Sequence, residues 1–172
     1  MTRTVAVTVT HLELPSPGAL RPSTLVPKGV LLRLEVAPDA AVVAATMYRE
    51  IGAAWHWRDR LDWTPADWAE AIHRGGVEVW TLNENHRTIG YVELEHREDA
   101  VDVKLFGLTS AGIGRGLGGW MLTQAVERAW ALGAVRVILN TCTLDGPTAL
   151  PNYLARGFRV VRVEQQQREL PT

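Results

Sequence analysis

From residue 4 to residue 14 (TVAVTVTHLEL) apolar and polar side chains alternate and many are β-branched, a period of two that predicts a strand. Pro15, Pro17, Gly18, Pro22, Pro27 and Gly29 then crowd fifteen residues. That density excludes helix and central strand alike and leaves an irregular connector. The apolar run 30–36 (VLLRLEV) reads as the first core strand, ended by Pro38-Asp39. A helix is expected from about 40 to 51, capped by Asp39 and stopped near Gly52. Thr64-Pro65-Ala66-Asp67 announces a second helix, with a capping hydroxyl, a proline at the first helical position and a carboxylate in the first turn. It should end at Gly75-Gly76. Three strand patterns follow, 77–82, 88–96 and 101–108, joined by hairpin-length connections that predict antiparallel neighbours. Met121, Leu122, Ala125, Val126 and Ala129 recur with helical period inside 117–132, and Gly133 closes that helix. Residues 135–140 (VRVILN) read as a buried strand, 149–156 as a short helix and 158–164 as the last strand before a polar tail.

Length and composition narrow the class. A chain of 172 residues suits one α/β domain, taken as 29–172, preceded by an extension at 1–28 too short for its own core. Eighteen basic against nineteen acidic residues give a net charge of −1, which removes the electrostatic argument for nucleic acid or a membrane surface as partner. The single cysteine, Cys142, excludes an internal disulfide framework and reads as a small buried apolar group. The five histidines show no metal-ligand spacing, so no metal is expected. No apolar run reaches the ~18 residues of a membrane span and no signal-peptide core follows the N-terminus, so the expected location is cytoplasmic.

The densest chemical signal is GIGRGLGG at 112–119, which holds five of the fifteen glycines between a strand and a helix. A helix N-terminus presents free N–H groups and partial positive charge, glycines let that backbone approach a diphosphate, and Arg115 adds a cation. No Gly-Lys-Ser/Thr tripeptide is present, which excludes a P-loop. Gly114-x-Gly116-x-x-Gly119 fits a dinucleotide fingerprint in form, but the following strand ends in Asn140-Thr141-Cys142-Thr143 and not in the acidic residue such a site uses. A dinucleotide-binding oxidoreductase is therefore the weaker alternative.

Residues 101–158 resemble the acyl-CoA-binding half of the GNAT superfamily of N-acyltransferases. The superfamily motif Arg/Gln-x-x-Gly-x-Gly/Ala falls on Ile113-Gly114-Arg115-Gly116-Leu117-Gly118, with Ile113 a departure at the first position. The ending Ala-x-x-x-Tyr-x-x-x-Gly-Phe matches Ala149, Tyr153, Gly157 and Phe158, while the usual Asn ahead of it is Gly146, beside Asp145. The order of elements over 30–164 agrees as well. The resemblance implies an α/β fold with a mixed, mostly antiparallel sheet, splayed at the acyl-CoA site and flanked by helices, here with an extra N-terminal strand. It implies acetyl-CoA as co-substrate, held by Phe106, Gly107 and Leu108 on the splayed strand, by Ile113 to Gly119 in the loop, and by Asn140, Asn152, Tyr153 and Arg156. The Leu108 N–H would polarise the thioester carbonyl, and Tyr153 would protonate the leaving thiolate. Gly107 independently marks a bulge or a close backbone approach.

A base for the amine is sought among carboxylates. Asp102 stands six residues before Leu108, so strand parity puts both on one side, with Lys104 beside Asp102. Glu93 and Glu95 share a face of the neighbouring strand and are the substitutes. Trp55, Trp57, Trp63 and Trp68 are interleaved with Arg58, Asp59, Arg60 and Asp62; aromatic walls with a carboxylate suit an ammonium group, which names Trp55, Trp57, Asp59 and Glu95 for the acceptor. The expected function is acetyl transfer from acetyl-CoA to a primary amine of a small molecule by direct attack. A non-catalytic acyl-CoA sensor is the alternative from another class, and homodimer formation stays open.

Overall fold

Local signals set the helix ends in the computed structural model, which describes residues 2–171. Thr64 accepts from the Asp67 N–H while the Asp67 carboxylate accepts from the Thr64 N–H, a reciprocal cap that starts α2 (Pro65–His73). The preceding helix, α1 (Asp39–Trp55), runs through Gly52 and stops at His56, whose φ of 57° ends it. Gly52 serves packing and not termination: a Cβ there would stand 2.5 Å from the Trp57 Cβ. α3 (Leu117–Ala131) starts at Gly116 with φ 74°, and α4 (Ala149–Ala155) is two turns long.

Seven strands form one sheet: β1 (Thr2–Leu14), β2 (Val30–Glu35), β3 (Val77–Glu84), β4 (Arg87–Arg97), β5 (Ala100–Leu108), β6 (Arg136–Cys142) and β7 (Arg159–Pro171), in the order β2-β3-β4-β5-β6-β1-β7. Asn85 and His86 both take positive φ, the backbone a tight β3–β4 hairpin needs. Only β5 and β6 pair in parallel, and only at Ala100–Arg136, Val101–Val137 and Asp102–Ile138. Beyond that point the two strands part. The sheet is thus mostly antiparallel with one splayed junction, and it has no alternating βαβ series of the kind a dinucleotide fold uses.

Each face carries its own core. On one, Met121, Leu122 and Val126 of α3 and Tyr153 of α4 pack on Val92, Val101 and Leu139. On the other, Ala44, Tyr48 and Ile51 of α1 with Trp68 and Ile72 of α2 cover Val79 and Tyr91. Each fully buried side chain of this size contributes about 1.5–3 kcal/mol.

Three features differ from the alternation read along the chain. The polar tail is strand: β7 continues to Pro171 because β1 offers it an antiparallel partner over its whole length. β1 itself lies inside the sheet, between β6 and β7. The bulge sits at Lys104, where Glu93 opposes Leu105 and Leu94 opposes Val103, and not at Gly107. One extra residue inverts parity: Val101 and Val103 face α3, Leu105 faces α1, and Phe106 and Leu108 face α3 again. Asp102 and Leu108 therefore point to opposite faces, contrary to the six-residue spacing.

The connector is tied down on the α3–α4 side. Arg21 N–H donates to the Arg156 carbonyl at 2.9 Å, Ser23 N–H to Thr123 Oγ1 at 2.9 Å, and Leu25 reaches the loop beside Gly116.

Candidate functional site

The glycine loop turns on backbone geometry only glycine adopts easily. Gly114 and Gly116 have φ of 78° and 74°, with open space around the first, so conformation and not crowding requires glycine at 114. The Gly112 and Ile113 amides close a turn on the Thr109 carbonyl. Those from Gly114 to Gly119 make no turn or loop hydrogen bond among the described residues. The Gly114, Arg115 and Gly116 amides thus join the first-turn amides of α3, which have no intrahelical acceptor, at the positive end of that helix.

α4 closes the other side of this opening. Asn152 and Arg156 lie over Gly118 and Gly119; a Cβ on Gly119 would stand 2.6 Å from Arg156 Nη1 and 3.5 Å from Asn152 Oδ1. Arg156 Nε is buried with no hydrogen-bond partner. A guanidinium whose Nη1 reaches Gly119, beside the loop amides, fits an anionic group such as a diphosphate. Arg115, expected at the anion, instead makes a bidentate pair with Glu84 at 2.6 and 3.0 Å. Ile113 is 49% exposed and adds no polar contact.

From the loop the splay leads inward. Phe106 of β5 meets Tyr153 edge to face at 6.3 Å, and Leu108 borders Gly112 and Gly118. Burial, with the charge of Asp145, pushes the Tyr153 hydroxyl well above the ordinary phenol range, so it stays protonated and able to donate. Asn140 lies apart: buried Val137 and Leu139 face α3, so Asn140 points to the other face, exposed.

On the α1–α2 face the splay is walled by aromatic side chains. A Cβ on Gly107 would collide with Ile51 at 2.6 Å and meet Trp57 at 3.5 Å, so glycine here lets α1 approach β5 closely. Trp55 packs over Gly146, in the loop after β6, at 3.2 Å from its Cβ position. Both tryptophans named for the acceptor thus border the splay, one on each side.

Of the carboxylates named from sequence, Glu93, Glu95 and Asp102 are paired with cations and Asp59 is not. Glu93 is gripped by Arg60 through two hydrogen bonds, 2.8 and 3.0 Å, and also accepts from the Tyr91 hydroxyl at 2.7 Å. Burial alone would pull the Arg60 guanidinium down, but the hydrogen bonds and charge of Glu93 win and hold it up. Rings of Trp63, Trp68 and Tyr48 surround Arg60 at 4.7, 5.6 and 5.9 Å. Asp59 is exposed and accepts from the Tyr48 hydroxyl at 2.6 Å. Glu95 faces Arg74, Arg97 and Lys104, and Asp102 pairs with Arg97 at 2.9 Å. Asp102 is also remote, because six strand residues span about 20 Å. The sequence reading missed Arg60, Tyr48 and Tyr91, whose partners lie far along the chain or under another element. Two surface cavities, of about 310 and 200 Å³, open elsewhere, beside Trp80 and Arg128 and beside Trp63 and Arg49.

No family model matches the chain, and no curated protein matches it. Solved structures do. A GCN5-related N-acetyltransferase from Sphaerobacter thermophilus superposes with a TM-score of 0.72 at 15% identity, over 98% of this chain and 53% of that one. A GCN5-related N-acetyltransferase from Kribbella flavida gives 0.66 at 16% identity, over 99% and 60%. The chain has the GNAT fold. It spans only 53% and 60% of the length of those two neighbours. An aminoglycoside acetyltransferase from an uncultured soil metagenomic sample, 10% identical with a TM-score of 0.64, matches 77% of this chain over 90% of its own length. Within the GNAT fold, Phe106 and Leu108 of the splayed strand link Tyr153 to the α3 loop by direct contact. No helix among the described residues is long and apolar enough to cross a membrane.

Proposed function

We propose that this chain is an N-acyltransferase that moves an acetyl group from acetyl-CoA to a primary amine of a small molecule by direct attack. The observation that carries this reading is the set of loop and first-turn amides from Gly114 to Gly119, with the Arg156 guanidinium over Gly119 and Leu108 and Phe106 leading from them to Tyr153. The amides and Arg156 would hold the diphosphate, Phe106, Gly107 and Leu108 the pantetheine arm, and the Leu108 N–H the carbonyl oxygen. Acetyl-CoA would supply the activated thioester, which the chain would orient and shield from water with Ile51 and Trp57. The neutral amine would attack the carbonyl carbon and give its proton to solvent. The C–S bond would break, and Tyr153 would protonate the leaving thiolate and be reprotonated from solvent. The aminoglycoside-modifying neighbour is consistent with a small amine-bearing acceptor.

A non-catalytic acyl-CoA sensor is the second reading, favoured by the pairing of Glu93, Glu95 and Asp102 with cations. Calorimetry with acetyl-CoA tests the binding that both readings share. Steady-state CoA release over a panel of amines separates them: binding without release for any amine leaves the sensor.

A further inference from the structure

Asp145 is a carboxylate that no expected role used. Thr143 N–H donates across to the Thr8 carbonyl of β1 at 3.1 Å. Successive strand N–H groups point to opposite sides, so the Cys142 N–H points the other way, into the gap where β6 leaves β5. Its acceptor is Asp145 Oδ2 at 2.9 Å, and the Thr141 hydroxyl donates to the same oxygen at 2.5 Å. The carboxylate is thereby fixed inside the splay. Both donors are neutral, and among the described residues no cation pairs with it; the nearby Arg168 guanidinium goes to Cys142 Sγ at 3.8 Å and to Gln166. Oδ1 accepts no hydrogen bond among the described residues. Asp145 is half-buried, and its next residue, Gly146, lies under Trp55.

An unpaired carboxylate in a cleft of apolar and aromatic side chains is costly unless a cation joins it. Glu93, Glu95 and Asp102 each already have one. We propose that Asp145 binds the acceptor as its ammonium ion in the splay, against the edge of Trp55, and that it selects cationic primary amines. The bound ammonium gives one proton to solvent before the neutral amine attacks and the second as the amide forms. The inference rests on the acyltransfer reading and names the residue that recognises its acceptor; Asp59, held by the Tyr48 hydroxyl, does not take part.

n-Butylammonium and n-butanol, matched in shape and differing in charge, are titrated into the chain with tryptophan fluorescence as the signal. The expected result is binding of n-butylammonium at least about 10-fold tighter than n-butanol, lost in Asp145→Asn, which keeps the acceptor oxygen for Cys142 and Thr141. Asp145→Glu, which keeps the charge, should restore the preference, and Asp59→Asn should bind as the wild type. Melting temperatures read alongside show that each variant is folded. Equal binding of the two probes by the wild type, or an unchanged preference in Asp145→Asn, overturns the proposal. Acetyl-CoA calorimetry on the same variants keeps the two readings apart: unchanged cofactor binding with no ammonium preference sinks only the role of Asp145. Ammonium preference without cofactor binding sinks only the acyltransfer reading.

Discussion

The two faces of the sheet meet at one splay and are built on opposite electrostatic plans. On the α3–α4 face the loop amides of Gly114 to Gly116 and the first-turn amides of α3 are left without acceptors, and Arg156 Nε and Trp130 Nε1 are buried without one. The α1–α2 face has a single such buried donor among the described residues, Trp68 Nε1. On the α1–α2 face, the charges sit in pairs, most tightly at Arg60–Glu93 inside a ring of aromatic side chains. Unsatisfied donors are a standing cost that a ligand removes; satisfied pairs hold structure in place. The contrast supports the proposed anion binding on the first face and rigidity on the second, with Asp145 between them as a carboxylate that has hydrogen-bond donors but no cation among the described residues.

The sharpest way to break this contrast is to unpair the second face. Arg60→Met leaves the Glu93 charge buried, with only the Tyr91 hydroxyl as partner, and should destabilise the fold by about 3–5 kcal/mol in urea denaturation. The double variant Arg60→Met/Glu93→Leu removes both charges and should recover much of that loss. If the single variant is as stable as the double, the pair is not what fixes the 56–64 loop. On the other face, Tyr153→Phe should keep acetyl-CoA affinity and lower kcat by about 100-fold, because the hydroxyl matters when sulfur leaves. A variant that loses cofactor affinity with kcat intact would make Tyr153 a binding residue.

Which parts of this contrast were legible in the chain follows from how local each signal is. The Thr64 cap, the glycine loop and the α4 ending are written within a few residues, and each stands where the pattern put it. The bulge at Lys104 leaves no mark in the alternation, yet it turns Leu108 away from Asp102 and undoes the argument from spacing. Arg60 and Glu93 are 33 residues apart, and only the packing of the α1–α2 loop onto β4 joins them. The segment after Glu164 looks like a tail because its polar residues face water on an edge strand; β1, at the far end of the chain, makes it a strand.

A smaller effect sharpens the first face. Gly116→Val forces a β-branched residue to φ 74° and brings its side chain toward Leu25, 3.4 Å from the Cβ position. Acetyl-CoA affinity should fall by about 10-fold or more, since each 1.4 kcal/mol of strain or lost contact is a factor of ten. Unchanged calorimetric affinity in a folded variant would remove the loop from the cofactor site.

The smallest effect tests whether the paired face is uniform. At Glu95, burial alone would raise the carboxyl, but Lys104, Arg74 and Arg97 outweigh it and hold it below the usual range. At Asp102, burial wins over Arg97 and Lys104 and holds the carboxyl above its usual range. The signs are opposite. A depressed carboxylate contributes stability above its unfolded value, near pH ~4, that is lost as pH falls through the folded value. A raised one contributes stability below about pH 4 that is lost as pH rises through the folded value. Glu95→Gln should therefore be less stable than the wild type at pH 7, by up to about 1 kcal/mol given its partly exposed partners, with the gap closing in acid. Asp102→Asn should match the wild type in acid and pull ahead of it as pH rises. Urea midpoints of both variants from pH 3 to 7 decide the matter: slopes of the same sign would mean that Asp102 is held by Arg97 as firmly as Glu95 is by its three cations, and that the acid pairs of this face behave alike.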